Sequence, residues 1–264
     1  MARNEYYTYK DSPINGDIMM SVQVFDIITK QVAAEDKDIK LDTSKGFSVT
    51  GTKNLVNCTI KDNEVYIKKV DVTDEKNCKD FIENVAEHFG KIDVLCNNAG
   101  TALMGDIATF PEETFRKHAE LMMYAPVRLT NLCIPHFKKN GWGSVVNTAS
   151  IFGKQPGGLI SYDTIKAADI MITKDYSNYC AAFNVNVVCP GPVDTPLWHA
   201  EGQLGDQLAS ATGMSRDESI DWFAKTNIPM GRYAKPEEIA SAAVFLSSEP
   251  AHYITGVALN VDGG

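Results

Sequence analysis

Short runs of apolar residues alternate along the chain with longer stretches in which apolar residues recur every three or four positions. The short runs read as strands: SVQVF (21–25), GFSVTGT (46–52), VYIKKVDV (65–72), KIDVLCNNA (91–99), GSVVNTAS (143–150), NVNVVCPG (184–191) and GVALNVDG (256–263). The clearest helix lies between the third and fourth runs. Cys78, Phe81, Ile82, Val85, Ala86 and Phe89 share one face, Thr73 or Asp74 can cap its start, and Gly90 can end it. Further helices are expected over 111–139, 161–182 and 236–247, the last opened by Pro236 with Glu237 and Glu238 in its first turn. Strands alternating with helices of this length imply right-handed crossovers. The pattern therefore predicts an α/β fold, a single doubly wound parallel sheet of about seven strands with helices on both faces. No linker or composition break divides the sequence after residue 90. The expected organisation is a polar tail over 1–16 and one domain over 17–264.

Composition narrows the function. The 264 residues carry 25 basic and 34 acidic side chains, a net charge of −9. Without a basic excess, non-specific binding to nucleic acid is not expected. The start, MARNEYYTYKDSPINGD, lacks an apolar core, and nowhere do 18 apolar residues run together, so neither a signal peptide nor a membrane span is indicated. A cytoplasmic protein is expected. The six cysteines are scattered without a CxxC pair; Cys78, Cys96 and Cys133 sit among apolar neighbours and read as buried thiols. The histidines show no metal-ligand spacing, so no metal is expected. Glycine is uneven: only Gly16, Gly46 and Gly51 of the 19 fall before residue 90.

Tyr162 and Lys166 are spaced to share one helix face, and an ammonium near a phenol stabilises the phenolate, which suits a general acid/base. The pair alone is weak, since the polar tail holds another, Tyr6 and Lys10. Context strengthens it. Ser150 closes the strand GSVVNTAS, at the end of a parallel sheet that faces the ligand crevice. VDVTD (70–74) and NNAG (97–100) close two earlier strands, PGPVDTP (190–196) follows the sixth, and the chain ends TGVALNVDGG. With these motifs in this order, residues 46–264 resemble a short-chain dehydrogenase/reductase of the single-domain, Rossmann-like kind.

The resemblance implies a set of roles. Tyr162 would exchange a proton with the substrate oxygen while a hydride moves to or from a nicotinamide. Lys166 would support the tyrosine and bond the nicotinamide ribose, and Ser150 would hold the substrate carbonyl or hydroxyl. Asp71 would meet the adenine; Asn97, Ala99 and Gly100 would shape the floor on the cofactor side. Pro190, Gly191, Val193 and Thr195 would line the nicotinamide end. Taken singly, Ser150 is equally a turn residue, Thr195 a helix entry and Asp71 a cap. The family also implies a homo-oligomer, dimer or tetramer, formed through helices 111–139 and 161–182 and through the last strand and helix.

Two departures stand out. The family's glycine-rich phosphate loop should follow SVQVF, yet Asp26 to Ala33 reads DIITKQVA, with β-branched residues that resist positive φ and an aspartate that repels phosphate. Met122 stands where the family usually places a water-holding asparagine. The second strand ends without an acidic residue to hold a ribose 2′-hydroxyl, and Lys53 could accept a 2′-phosphate, which favours NADP over NAD. Lys53 reads equally as a solvated turn residue. The segment 197–230 would form a substrate lid, in which Leu197, Trp198, Leu204, Leu208, Met214, Trp222 and Phe223 suit an apolar pocket or a lid packed on one. With Phe152 and Leu159 they suggest an apolar substrate; half or more of them read equally as packing. The expected function is an NAD(P)(H)-dependent oxidoreductase interconverting a hydrophobic secondary alcohol and ketone. The alternative, motivated by the altered loop and Met122, is a non-redox member binding a small ligand or partner, with weak or lost dinucleotide binding.

Overall fold

The computed structural model describes Ile18–Gln23, Ile39–Lys40, Leu55–Lys61 and residues 64–180 and 183–264, with side chains at 68 and from 70 onward. The tail 1–16 with Tyr6 and Lys10, the loop Asp26 to Ala33, the expected strand 46–52 and Lys53 lie outside these residues. Among the described residues the strands are β1 (Ile18–Gln23), β2 (Ile39–Lys40), β3 (Leu55–Lys61), β4 (Glu64–Lys69), β5 (Val94–Asn97), β6 (Ser144–Thr148), β7 (Asn184–Pro190) and β8 (Ala258–Val261). They form one sheet in the order β2-β4-β3-β1-β5-β6-β7-β8.

The predicted parallel sheet runs through β1, β5, β6, β7 and β8. On the other side of β1 the pairing differs. There β3, a strand the pattern did not predict, pairs antiparallel with β1 and with β4. The reason is local: β3 and β4 are two residues apart, and so short a connection joins only antiparallel neighbours. Strand order still reverses beside β1, because the chain places β3 and β4 on one side of it and β5 on the other. That reversal opens a crevice at the carboxyl ends of the parallel strands.

The helices follow the apolar spacing. Helix α1 (Glu75–Phe89) starts at Asp74, whose carboxylate accepts the Asn77 amide at 2.7 Å, and stops at Gly90. Its buried face, Cys78, Phe81, Ile82, Val85 and Phe89, packs with Leu129, Cys133 and Phe137 of α3 (Ala125–Asn140) against Leu95, Val145 and Val185 of the sheet. Each fully buried side chain of this kind contributes about 1.5–3 kcal/mol. The stretch predicted as one helix over 111–139 is α2 (Glu112–Ala119), a π turn over Glu120–Tyr124, and then α3. Helix α4 (Ile160–Tyr179) covers the same face near Val187 and Cys189, through Ile170. The opposite face carries α8 (Pro236–Leu246), whose Leu246 meets Val146 and Val188. Alternate residues of β6 and β7 thus face opposite layers, which explains their continuous apolar runs. Between β7 and α8 lie α5 (Pro196–His199), α6 (Leu204–Thr212) and α7 (Arg216–Asn227). Among the described residues no helix is long and apolar enough to cross a membrane.

Candidate active site

The site is built where β6 and α4 meet. Ser150 follows β6 in extended backbone and starts the turn Ile151–Gly153. Its Oγ accepts the Phe152 amide at 3.1 Å, which leaves its own O–H able to donate. Gly153 is required here, since a Cβ would stand 2.6 Å from the Lys166 carbonyl oxygen. This close approach presses the Ser150 turn against α4 at Lys166. Tyr162 lies one helical turn before Lys166, and Lys166 Nζ is 5.8 Å from the Tyr162 ring centroid. The three residues singled out as catalytic are therefore brought to one place.

Lys166 is buried, and its ammonium donates to the Thr148 carbonyl at 2.6 Å and to Asp169 Oδ2 at 3.1 Å. One of its three N–H groups remains for a ligand. The Tyr162 hydroxyl makes no hydrogen bond among the described residues. Asp169 escaped the sequence reading. Its signal is a carboxylate one turn beyond Lys166 on the same face, in the run AADIM, where an uncompensated charge is costly. Burial pushes its carboxyl above the usual range, while Lys166 pulls it back.

Behind the site runs a buried polar ladder. Asn97 Nδ2 donates to Asn147 Oδ1 at 2.9 Å, and Asn147 Nδ2 donates to Thr173 Oγ1 at 2.9 Å. Asn97 thus directs its amide toward the β6–α4 layer. His118 on α2 pairs through Nδ1 with Ser161 Oγ at 2.8 Å, next to Tyr162, and its burial depresses imidazole protonation. Neither pairing was read from the sequence, because each joins residues more than 40 positions apart or on different elements.

Met122 is fully buried inside the π turn, the kind of helix irregularity often found at functional sites. Its sulfur lies 3.3 Å from where a Cβ on Gly100 would stand and accepts the Thr101 amide at 3.4 Å. Met122 therefore supports the loop after β5. Ala99 packs at the edge of the main core. Pro190 is buried at the end of β7, and a Cβ on Gly191 would stand 2.7 Å from the Asp262 carbonyl, so close packing on the C-terminal segment demands that glycine. Val193 bridges to Ala234, and Thr195 precedes α5. Asp71 is exposed and accepts the Thr73 amide and hydroxyl at 2.9 and 2.7 Å, closing a turn before α1.

Trp198, Leu204, Leu208 and Ile220 from α5–α7 form an apolar cluster with Leu159 and Ala102, bordered by Phe152, Leu197, Phe223 and Tyr162. Met214 and Trp222 are exposed and stand outside it, so these two do not line the pocket expected of them. Gln207 of α6 accepts the Met104 amide at 2.8 Å, tying this cap to the loop after β5. Among the described residues no group of three metal-ligating side chains occurs.

A family model described as enoyl-(acyl carrier protein) reductase matches residues 47–264. The 3-oxoacyl-(acyl-carrier-protein) reductase of Thermotoga maritima is 32% identical over 221 residues, which cover 81% of this chain and 84% of that protein. The chain belongs to the short-chain dehydrogenase/reductase family. Another relative is the D-beta-hydroxybutyrate dehydrogenase of Rhizobium meliloti, 32% identical over 197 residues, or 74% of this chain and 75% of that one. Among solved structures, L-sorbose reductase from Gluconobacter frateurii, complexed with NADPH and L-sorbose, superposes with a TM-score of 0.68. It is 33% identical and covers 74% of each chain. The short-chain dehydrogenase/reductase fold accounts for the α/β architecture and the parallel pairing of β5, β6, β7 and β8.

Proposed function

We propose that this chain is a dinucleotide-dependent oxidoreductase that interconverts a hydrophobic secondary alcohol and its ketone. The observation that carries the reading is the convergence of Ser150, Tyr162 and buried Lys166 at the carboxyl end of β6, beneath an apolar cap. The described residues fit the nicotinamide half of a dinucleotide. The ends of β5, β6 and β7 form one rim beside the strand reversal, and Lys166 keeps an N–H donor for a ribose hydroxyl. Asn97, Ala99, Gly100, Pro190, Gly191, Val193 and Thr195 lie along or just beyond those strand ends, and Asp71 keeps a second carboxylate oxygen for the adenine. NADP is favoured over NAD, on Lys53 in the sequence and on the NADPH bound by the sorbose reductase.

When bound, the nicotinamide supplies or accepts the hydride. The remaining work falls to the chain. Ser150 donates its O–H to the substrate oxygen, Tyr162 gives that oxygen a proton or removes one, and Lys166 steadies the charge on the phenol oxygen. The cap over α5–α7, within the proposed lid 197–230, excludes water and selects an apolar substrate. The chain is expected to work in the cytoplasm as a homo-oligomer.

The test is calorimetric titration with NADPH and NADH, followed by nucleotide consumption with a hydrophobic methyl ketone, a β-ketoester and a ketose. NADPH binding, with turnover of the apolar ketones ahead of the ketose, is the expected result. Absence of binding by both nucleotides overturns the reading.

A further inference from the structure

The first turn of α4 carries Tyr162, and Leu159 at its start offers no side-chain acceptor to the free amides there. Two other side chains hold the turn. Asp163 Oδ2 accepts the Gly157 amide at 2.7 Å and the Leu159 amide at 3.2 Å, which closes the loop leading into the helix. On the side of α2, His118 Nδ1 meets Ser161 Oγ at 2.8 Å, across 43 positions of sequence. Ser161 is fully buried and His118 nearly so. A serine hydroxyl near a helix start usually bonds nearby backbone; this one is turned instead toward another helix. Phe110 packs beside the imidazole, with ring centroids 6.4 Å apart.

The same junction seats the tyrosine ring. Ala119 at the end of α2, Met122 of the π turn and Ile165 of α4 form one cluster, and Tyr162 packs against it. Apolar packing of this kind is non-directional, so it lets the helix start slide or roll. A buried hydrogen bond does not, because parting its two members leaves both unpaired away from water. We propose that His118, through Ser161, is a positioning residue that locks the first turn of α4 onto α2 and so sets where the Tyr162 hydroxyl meets the substrate oxygen. His118 itself touches neither substrate nor dinucleotide, and no proton passes through it. This inference rests on the redox reading above and adds the residue that places its acid/base.

The experiment compares His118→Leu and Ser161→Ala, which break the bond from either side, with His118→Asn, which keeps a polar atom opposite Ser161. Circular dichroism confirms that each is folded, and two breaking variants guard against one that is not. In both, kcat for the ketone falls about 10-fold while dinucleotide affinity holds, and the double variant is no worse than either alone. His118→Asn restores most of the rate. A second readout needs no nucleotide: the carbon NMR resonance of the Tyr162 ring in chain labelled at tyrosine Cζ, identified by its loss in Tyr162→Phe. That resonance moves in Ser161→Ala and His118→Leu, and lies nearer the parent's in His118→Asn. The inference is overturned if the folded breaking variants keep the parent's kcat, if Asn fares no better than Leu, or if the resonance stays put. Failure of the parent to bind either nucleotide would instead overturn the redox reading, and the resonance would still decide whether His118 places Tyr162.

Discussion

Lys166 stands beside the ring of Tyr162, its Nζ 5.8 Å from the ring centroid, while the Thr148 carbonyl and Asp169 fix the ammonium from behind. The ring itself packs in the apolar cap cluster. Tyr162→Phe therefore removes the proton donor and keeps the packing. Ketone turnover is expected to fall by about 10²–10⁴ in kcat, with dinucleotide affinity unchanged. Steady-state kinetics beside calorimetric binding checks both halves, and retention of kcat would remove Tyr162 from the chemistry.

The contact between Gly153 and Lys166 gives a second prediction. An added Cβ would meet the Lys166 carbonyl oxygen at 2.6 Å, a backbone atom that cannot swing away. Gly153→Ala must push the Ser150 turn off α4. Misplacement by about 1 Å costs about 10²-fold in rate, so kcat/KM should approach that of Ser150→Ala while the chain stays folded. Wild-type kinetics in Gly153→Ala would mean that Ser150 is not held by this contact.

Much of this arrangement was legible in the sequence, and the exceptions have physical causes. The run Cys78, Phe81, Ile82, Val85 and Phe89 predicted α1 because helical periodicity records burial directly. Tyr162 and Lys166 were legible because α4 fixes their spacing, and Ser150 because it follows the end of the apolar strand β6. Asp169 was not, because a charged residue inside a helix usually reads as a solvated position, and only its contact with Lys166 shows otherwise. The antiparallel β3 was missed although Val56 to Lys61 alternates apolar and polar residues, the pattern of a strand with one face covered. Met122 was read as the loss of a water-holding group. The structure adds a packing role, its sulfur filling the space beside Gly100.

That packing role can be measured. Met122→Ala deletes a fully buried side chain and should cost about 2–5 kcal/mol, whereas Met122→Leu should cost less than about 1.5 kcal/mol. Urea denaturation midpoints at constant m-value report both. Gly100→Ala places a methyl toward the vacated sulfur position, so its effect combined with Met122→Ala should be less damaging than the two separate effects added together. Strict additivity would show that Met122 does not buttress the loop after β5.

The last prediction concerns acid. His118 is buried against Ser161, and desolvation lowers its readiness to take a proton below the usual 6.5. Below pH about 6.5 the unfolded chain binds a proton there that the folded chain refuses, so stability rises with pH across that window and is lost on acidification. His136 is depressed in the same direction by burial and by Lys139, so a single pH curve mixes the two. Comparison with His118→Asn, which keeps a hydrogen-bonding group opposite Ser161 and does not titrate, isolates one residue. Urea midpoints from about pH 7.5 down to about pH 5 should fall more steeply in the parent than in the variant. Parallel curves would mean that His118 takes its proton without strain in the folded chain, and that the contact between α2 and the start of α4 tolerates the charge.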